Sequence, residues 1–211
     1  MSFLRKNVKR DEKAVSQVPA LGSWKQKLEA VSGQKVNTGQ ARRTLYLLLD
    51  CSSSMDDFGK LDAAKRGAVS FCKDAAAKGY ALGVIGFSHE AVCLLEAVEG
   101  HGDIEQVLRG LPASGSTDMT GALLLAARKL KSRPGERTAC LVTDGMPDNR
   151  DSALKAATAL QAIGVDIMAL GTDDADKAFL DRIVTSKELS VKVARQQLQQ
   201  GITSMARLLP G

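Results

Sequence analysis

Three short stretches concentrate oxygen-bearing side chains: D-C-S-S-S-M at 50–55, S-G-S-T-D-M-T-G-A-L at 114–123 and L-V-T-D-G-M-P-D at 141–148. Asp50, Ser52 and Ser54 alternate in the first, Thr117 lies in the second, and Asp144 follows Thr143 in the third. Two carboxylates and several hydroxyls, with the single Cys51 among them and no cluster of His or Cys, form a hard-oxygen donor set. Such a set suits Mg²⁺ or Mn²⁺ better than a softer metal. Hydroxyl ligands are neutral. An ion held directly by Ser and Thr, with the carboxylates partly acting through water, is left short of negative charge, and a carboxylate from outside can complete its shell. The first stretch alone has a plainer reading, in which Asp50 and Ser54 cap the next helix. The three together favour a cation site.

The elements around these stretches have to bring them together. T-L-Y-L-L-L-D (44–50) is a continuous apolar run of the kind buried on both faces of a parallel sheet. Residues 59–78 read as a helix with Leu61, Ala64, Ala68, Phe71, Cys72 and Ala75 on one face. A-L-G-V-I-G-F-S is a second buried strand, and A-V-C-L-L a shorter one behind it, placed as an antiparallel edge. Helices over 103–109, 119–131, 151–163, 174–183 and 195–208 alternate with strands at 137–144, 165–171 and 189–193. Alternation of this kind implies an α/β protein with a mostly parallel sheet covered on both faces. Asp50 and Asp144 then both end apolar strands and point to the carboxyl edge, where open α/β sheets bind ligands.

With these motifs assembled, the chain resembles the von Willebrand factor type A family with an intact metal-ion-dependent adhesion site. The resemblance covers about residues 42–209 and rests on D-C-S-S-S-M, S-T-D-M-T-G-A-L and L-V-T-D-G-M-P-D in that order. It implies a Rossmann-like, three-layer αβα fold with a central, mostly parallel six-stranded sheet and one short antiparallel edge strand. It also implies Mg²⁺ (or Mn²⁺) held by Ser52, Ser54 and Thr117, with Asp50 and Asp144 in direct or water-mediated contact. Ser53, Met55, Ser116, Asp118 and Gly145 would form the rim that meets a partner. Ser53 departs from the glycine frequent in the family, without removing a ligand. Members mostly act as non-catalytic modules that grip an Asp or Glu of a protein ligand. Stand-alone bacterial modules often work with ATPases, kinases, phosphatases or stress-response proteins, and tellurite-resistance-associated proteins include a similar short-tailed layout.

The chain has 211 residues and a net charge of +5. The positive surplus belongs to one end. Residues 1–43 hold ten Lys or Arg against three acids, and the remainder carries a net −2. Residues 1–41 are therefore read as a basic extension with a short helix near 23–31, where Trp24, Leu28 and Val31 share a face, and 42–211 as the domain. The extension reads first as a solvated tail. Contact with an acidic protein, nucleic acid or a membrane surface is the other reading, with nucleic acid disfavoured because interleaved aromatics and a nucleic-acid motif are lacking. The start lacks the apolar core of a signal peptide and no stretch is long enough to span a bilayer. The four cysteines are scattered and read as reduced core residues, which points to the cytoplasm. Oligomeric state leaves no trace in the sequence.

Two alternatives remain. Asp50, at a strand end, suits the nucleophile of a Mg²⁺-dependent phosphatase or hydrolase. Ser52, however, stands where that chemistry places a second Asp, and no phosphate-binding glycine loop or G-x-S-x-G elbow is present. The basic extension, in turn, suits nonspecific nucleic-acid binding, which salt would weaken. His89 and His101 are isolated, and Asp56, Asp57, Asp148 and Asp151 read as solvated acids near the rim.

Overall fold

The computed structural model describes residues 43–100 and 103–210. The chain divides into two units, Met1–Gly39 and Gln40–Gly211. The first, with the helix expected near 23–31, lies outside the described residues.

Six strands form one sheet: β1 (Arg43–Asp50), β2 (Tyr80–Phe87), β3 (Ala91–Glu99), β4 (Glu136–Thr143), β5 (Asp166–Thr172) and β6 (Ser190–Val193). Their spatial order is β3-β2-β1-β4-β5-β6. Every neighbouring pair is parallel except β2 with β3, which is antiparallel. The architecture is thus the expected Rossmann-like mixed sheet flanked by helices. The edge strand is not short. It continues to Glu99 past irregular register between Leu82 and Ile85, making it nine residues long.

The helices are α1 (Lys60–Ala77), α2 (Ile104–Arg109), α3 (Met119–Leu130), α4 (Arg150–Ala162), α5 (Lys177–Ile183) and α6 (Leu198–Met205). β1 shows how they are divided between the faces. Successive strand side chains point to opposite sides. Leu45, Leu47 and Leu49 enter a core with Phe71 and Cys72 of α1, Leu108 of α2, and Leu198 and Ile202 of α6. Tyr46 and Leu48 enter the other, with Met119 and Leu123 of α3, Leu160 of α4 and Phe179 of α5. β1 is apolar throughout because both of its faces are covered.

α1 and α6 lie very close together. A Cβ on Gly67 would stand 2.8 Å from the Gln199 carbonyl oxygen and 2.9 Å from Ile202 Cβ, so only glycine fits there. From β1 the chain runs outward through β2 to β3, then crosses back to put β4 on the other side of β1. Strand order therefore reverses between β1 and β4, which creates a crevice at their carboxyl ends.

Candidate functional site

The first and third oxygen-rich stretches leave β1 and β4 at this crevice. Asp50 is the last residue of β1 and is fully buried. Its Oδ1 accepts from the Ser52 backbone N–H at 2.8 Å, and its Oδ2 accepts from Thr143 Oγ1 at 2.6 Å. Burial pushes the Asp50 pKa up, against hydrogen bonds from Ser52 and Thr143 that pull it down; the charge of Asp144 adds to the rise.

A chain of oxygens joins the loops. Ser52 Oγ lies 3.1 Å from Ser54 Oγ, and Ser54 Oγ donates to Asp144 Oδ1 at 2.8 Å. Asp144 follows the last residue of β4 and is 1% exposed. Ser52 and Thr117 are also buried. The middle stretch is tied in through its backbone, because the Gly115 carbonyl accepts from both the Ser53 N–H and Ser53 Oγ at 3.0 Å.

Thr117 itself is fixed by Asp148, whose Oδ1 accepts from the Thr117 N–H at 3.0 Å and whose Oδ2 accepts from Ser116 Oγ at 2.7 Å. The Asp148 N–H donates in return to the Thr117 carbonyl at 3.1 Å. Asp148 is thus exposed yet engaged on both carboxylate oxygens, where a merely solvated acid was expected. Asp118 caps α3 by accepting from the Gly121 N–H at 2.9 Å. Gly145 donates its N–H to Thr143 Oγ1 at 3.2 Å.

Met55 corrects the sequence reading. It was assigned to the rim but is fully buried, packed with Leu49 and Leu61 in the α1-side core. Its apolar character was the signal for that, and Met55 anchors the loop from below. Ser53 and Ser116 are exposed, and Asp118 and Gly145 partly so.

The sequence reading missed Lys60. This first residue of α1 is only 5% exposed, and its ammonium donates to Asp144 Oδ2. Asp173 Oδ2 lies 3.6 Å from the same ammonium. Burial alone would lower the Lys60 pKa; the hydrogen bond and charge of Asp144, helped by Asp173 and Asp57, outweigh it and hold the pKa above the ordinary lysine value. A signal did exist in the sequence, since a lysine at a helix N-terminus opposes the helix dipole and needs a compensating anion.

Delivering Lys60 takes an unusual backbone. Phe58 (φ 53°) and Gly59 (φ 70°) are both left-handed immediately before it. For a phenylalanine that conformation costs about 1–2 kcal/mol. Phe58 is 81% exposed, with the Arg195 guanidinium 3.9 Å from its ring centroid. Asp173 (φ 46°) is the other non-glycine residue with positive φ among the described residues.

The donor set fits a hard cation. Asp50, Ser52, Ser54 and Asp144 are linked by hydrogen bonds through Thr143 and one another, and Thr117 stands on the loop tied to Ser53. Among the described residues no three His, Cys, Asp or Glu side chains group to hold a metal. An ion here would depend on hydroxyl oxygens as well as two carboxylates. The isolated His89 is exposed, with its Nδ1 3.3 Å from Ser88 Oγ.

Residues 45–146, which include all five expected ligands, match the family model of the von Willebrand factor type A domain. No curated protein matches the chain. Solved structures share its fold. The pilus adhesin SpaC from Lactobacillus rhamnosus GG aligns at TM-score 0.71 and 16% identity, over 78% of this chain and 30% of the adhesin. Proximal thread matrix protein 1 from the mussel byssus, in a form with a zinc-occupied MIDAS motif, aligns at TM-score 0.69 and 20% identity, over 80% and 48%. A von Willebrand factor type A structure from Catenulispora acidiphila aligns at 0.67 and 22%, over 79% and 42%. The chain thus spans less than half the length of each.

Proposed function

We propose that this chain carries a von Willebrand factor type A domain and acts as a non-catalytic, divalent-cation-dependent module that grips an Asp or Glu side chain of a protein partner. The observation that carries the reading is the convergence of Asp50, Ser52, Ser54 and Asp144 at the β1–β4 crevice, with Thr117 on the adjoining loop. Ser52, Ser54 and Thr117 would ligate Mg²⁺ or Mn²⁺ through neutral oxygens, and Asp50 and Asp144 would supply the negative charge. The bound ion supplies an electrostatic anchor for an incoming carboxylate. Ser53 and Ser116 frame the approach, with Asp118 and Gly145 beside them. Asp148 keeps the Thr117 loop in place.

The phosphatase alternative is weaker. Asp50 has both oxygens engaged and no exposed surface, which ill suits a nucleophile that must meet substrate. A cytoplasmic setting belongs to the same proposal and rests on four cysteines that remain unpaired. Among the described residues no helix is long and apolar enough to cross a membrane.

Calorimetric titration of Mn²⁺ and Mg²⁺ into the full chain tests the site. One ion per chain is expected, with affinity lost in Ser52→Ala and Thr117→Ala. Equal binding by these variants and the unmodified chain would move the ion elsewhere.

A further inference from the structure

We propose that Lys60 is a built-in counter-cation of the site, which holds Asp144 away from full engagement with the ion and so keeps the ion attractive to a partner's carboxylate. The inference rests on the cation-site reading above and concerns how that site selects an anionic ligand.

Both oxygens of Asp144 are already committed. Oδ2 receives the Lys60 ammonium and Oδ1 receives Ser54 Oγ. For Asp144 to bind an ion through Oδ2, it would have to give up an ion pair whose two partners are 5% and 1% exposed. Breaking a buried pair leaves one charge uncompensated, which is strongly unfavourable. Lys60 therefore biases Asp144 toward an outer role.

Formal charge leads to the same result. Asp50 and Asp144 bring two negative charges, which would neutralise a divalent ion. Lys60 returns one positive charge. The ion then keeps a surplus that a carboxylate from outside can satisfy. Asp173 shares the ammonium at 3.6 Å but is 24% exposed, so solvent screens it. The backbone supports an evolved placement: among the described residues, the two left-handed non-glycine residues, Phe58 and Asp173, are the residue two before Lys60 and its second ion-pair partner. Strain of this kind gathers where a side chain must be held in a set position.

The test uses the full chain, with Mn²⁺ as the metal probe and acetate as the carboxylate probe. Mn²⁺ affinity is read from the spin-resonance signal of free ion. Acetate binding is read from displacement of Mn²⁺-bound water in proton relaxation. Lys60→Met should bind Mn²⁺ about tenfold tighter and acetate about tenfold more weakly, the scale of one nearby unit charge in a partly screened site. Lys60→Arg should stay near the unmodified values. Asp173→Asn keeps a residue that tolerates the left-handed backbone and should act in the opposite sense, with Mn²⁺ a few-fold weaker and acetate a few-fold tighter.

If the unmodified chain binds no Mn²⁺, the cation-site reading and this one fall together. If it binds Mn²⁺ and Lys60→Met changes neither affinity, the Lys60 proposal alone is overturned. Should Lys60→Met fail to fold, Asp173→Asn decides: no shift, or both affinities shifting the same way, contradicts the proposal.

Discussion

Asp50 carries the clearest consequence at the scale of single residues. Its folded-state pKa is raised by burial. A raised carboxyl pKa means that the fold favours the protonated form. The associated stability is present below the unfolded value, roughly 3.9, and is lost as pH rises through the folded value. Above the folded value the buried charge therefore burdens the metal-free chain, and a bound cation offsets it. Mg²⁺ should raise Tm more at about pH 7.5 than at about pH 5, where protons compete for the same carboxylate. Asp50→Asn should lose that increment while its Tm without Mg²⁺ equals or exceeds that of the unmodified chain. Scanning fluorimetry across pH, with Mg²⁺ or with EDTA, measures both. An increment independent of pH would detach Asp50 from the cation.

At the scale of elements, the close approach of α1 and α6 is the most exposed to substitution. Gly67→Val would push methyl groups into the Gln199 backbone and Ile202. Overpacking of this kind typically costs about 1–3 kcal/mol, and urea denaturation should report it as a lower midpoint at unchanged slope. The same elements show what can be read from sequence. Strands buried on both faces are uniformly apolar, and helix faces repeat every three to four residues, so β1, β2, β4, β5 and the helices between them were legible. The ends were less so. Helix α5 begins at Lys177, because Asp176 caps it by accepting from the Ala178 and Phe179 N–H groups. The oxygen-bearing residues were legible because their chemistry is local to three loops. The partners of Lys60, Thr143, Asp148 and Asp173 were not, because they lie across the chain, as with Lys60 to Asp144 and Thr143 to Asp50; the helix N-terminus marked only that Lys60 needs an anion. Met55 misled for a related reason: proximity in sequence to Ser54 says nothing about which way a side chain turns.

At the scale of the whole molecule, all five expected ligands and the Lys60 cluster lie in the unit Gln40–Gly211. A chain lacking residues 1–39 should therefore bind Mn²⁺ with unchanged affinity. If the basic extension meets nucleic acid, salt-sensitive binding should disappear with it, because each neutralised phosphate adds to the salt dependence. Calorimetry and a salt titration on the full and shortened chains separate the two activities. A shortened chain that folds yet no longer binds Mn²⁺ would show that the division proposed for the chain is wrong.

The central claim is that a cation at the β1–β4 crevice joins this protein to a partner's acid. Affinity capture from native extract tests it most directly, with the full chain in Mg²⁺, the full chain in EDTA, and Thr117→Ala in Mg²⁺. The account predicts a partner retained only by the unmodified chain in Mg²⁺, with binding abolished when the partner's contacting Asp or Glu is replaced by Ala. A partner retained equally in all three arms would contradict it.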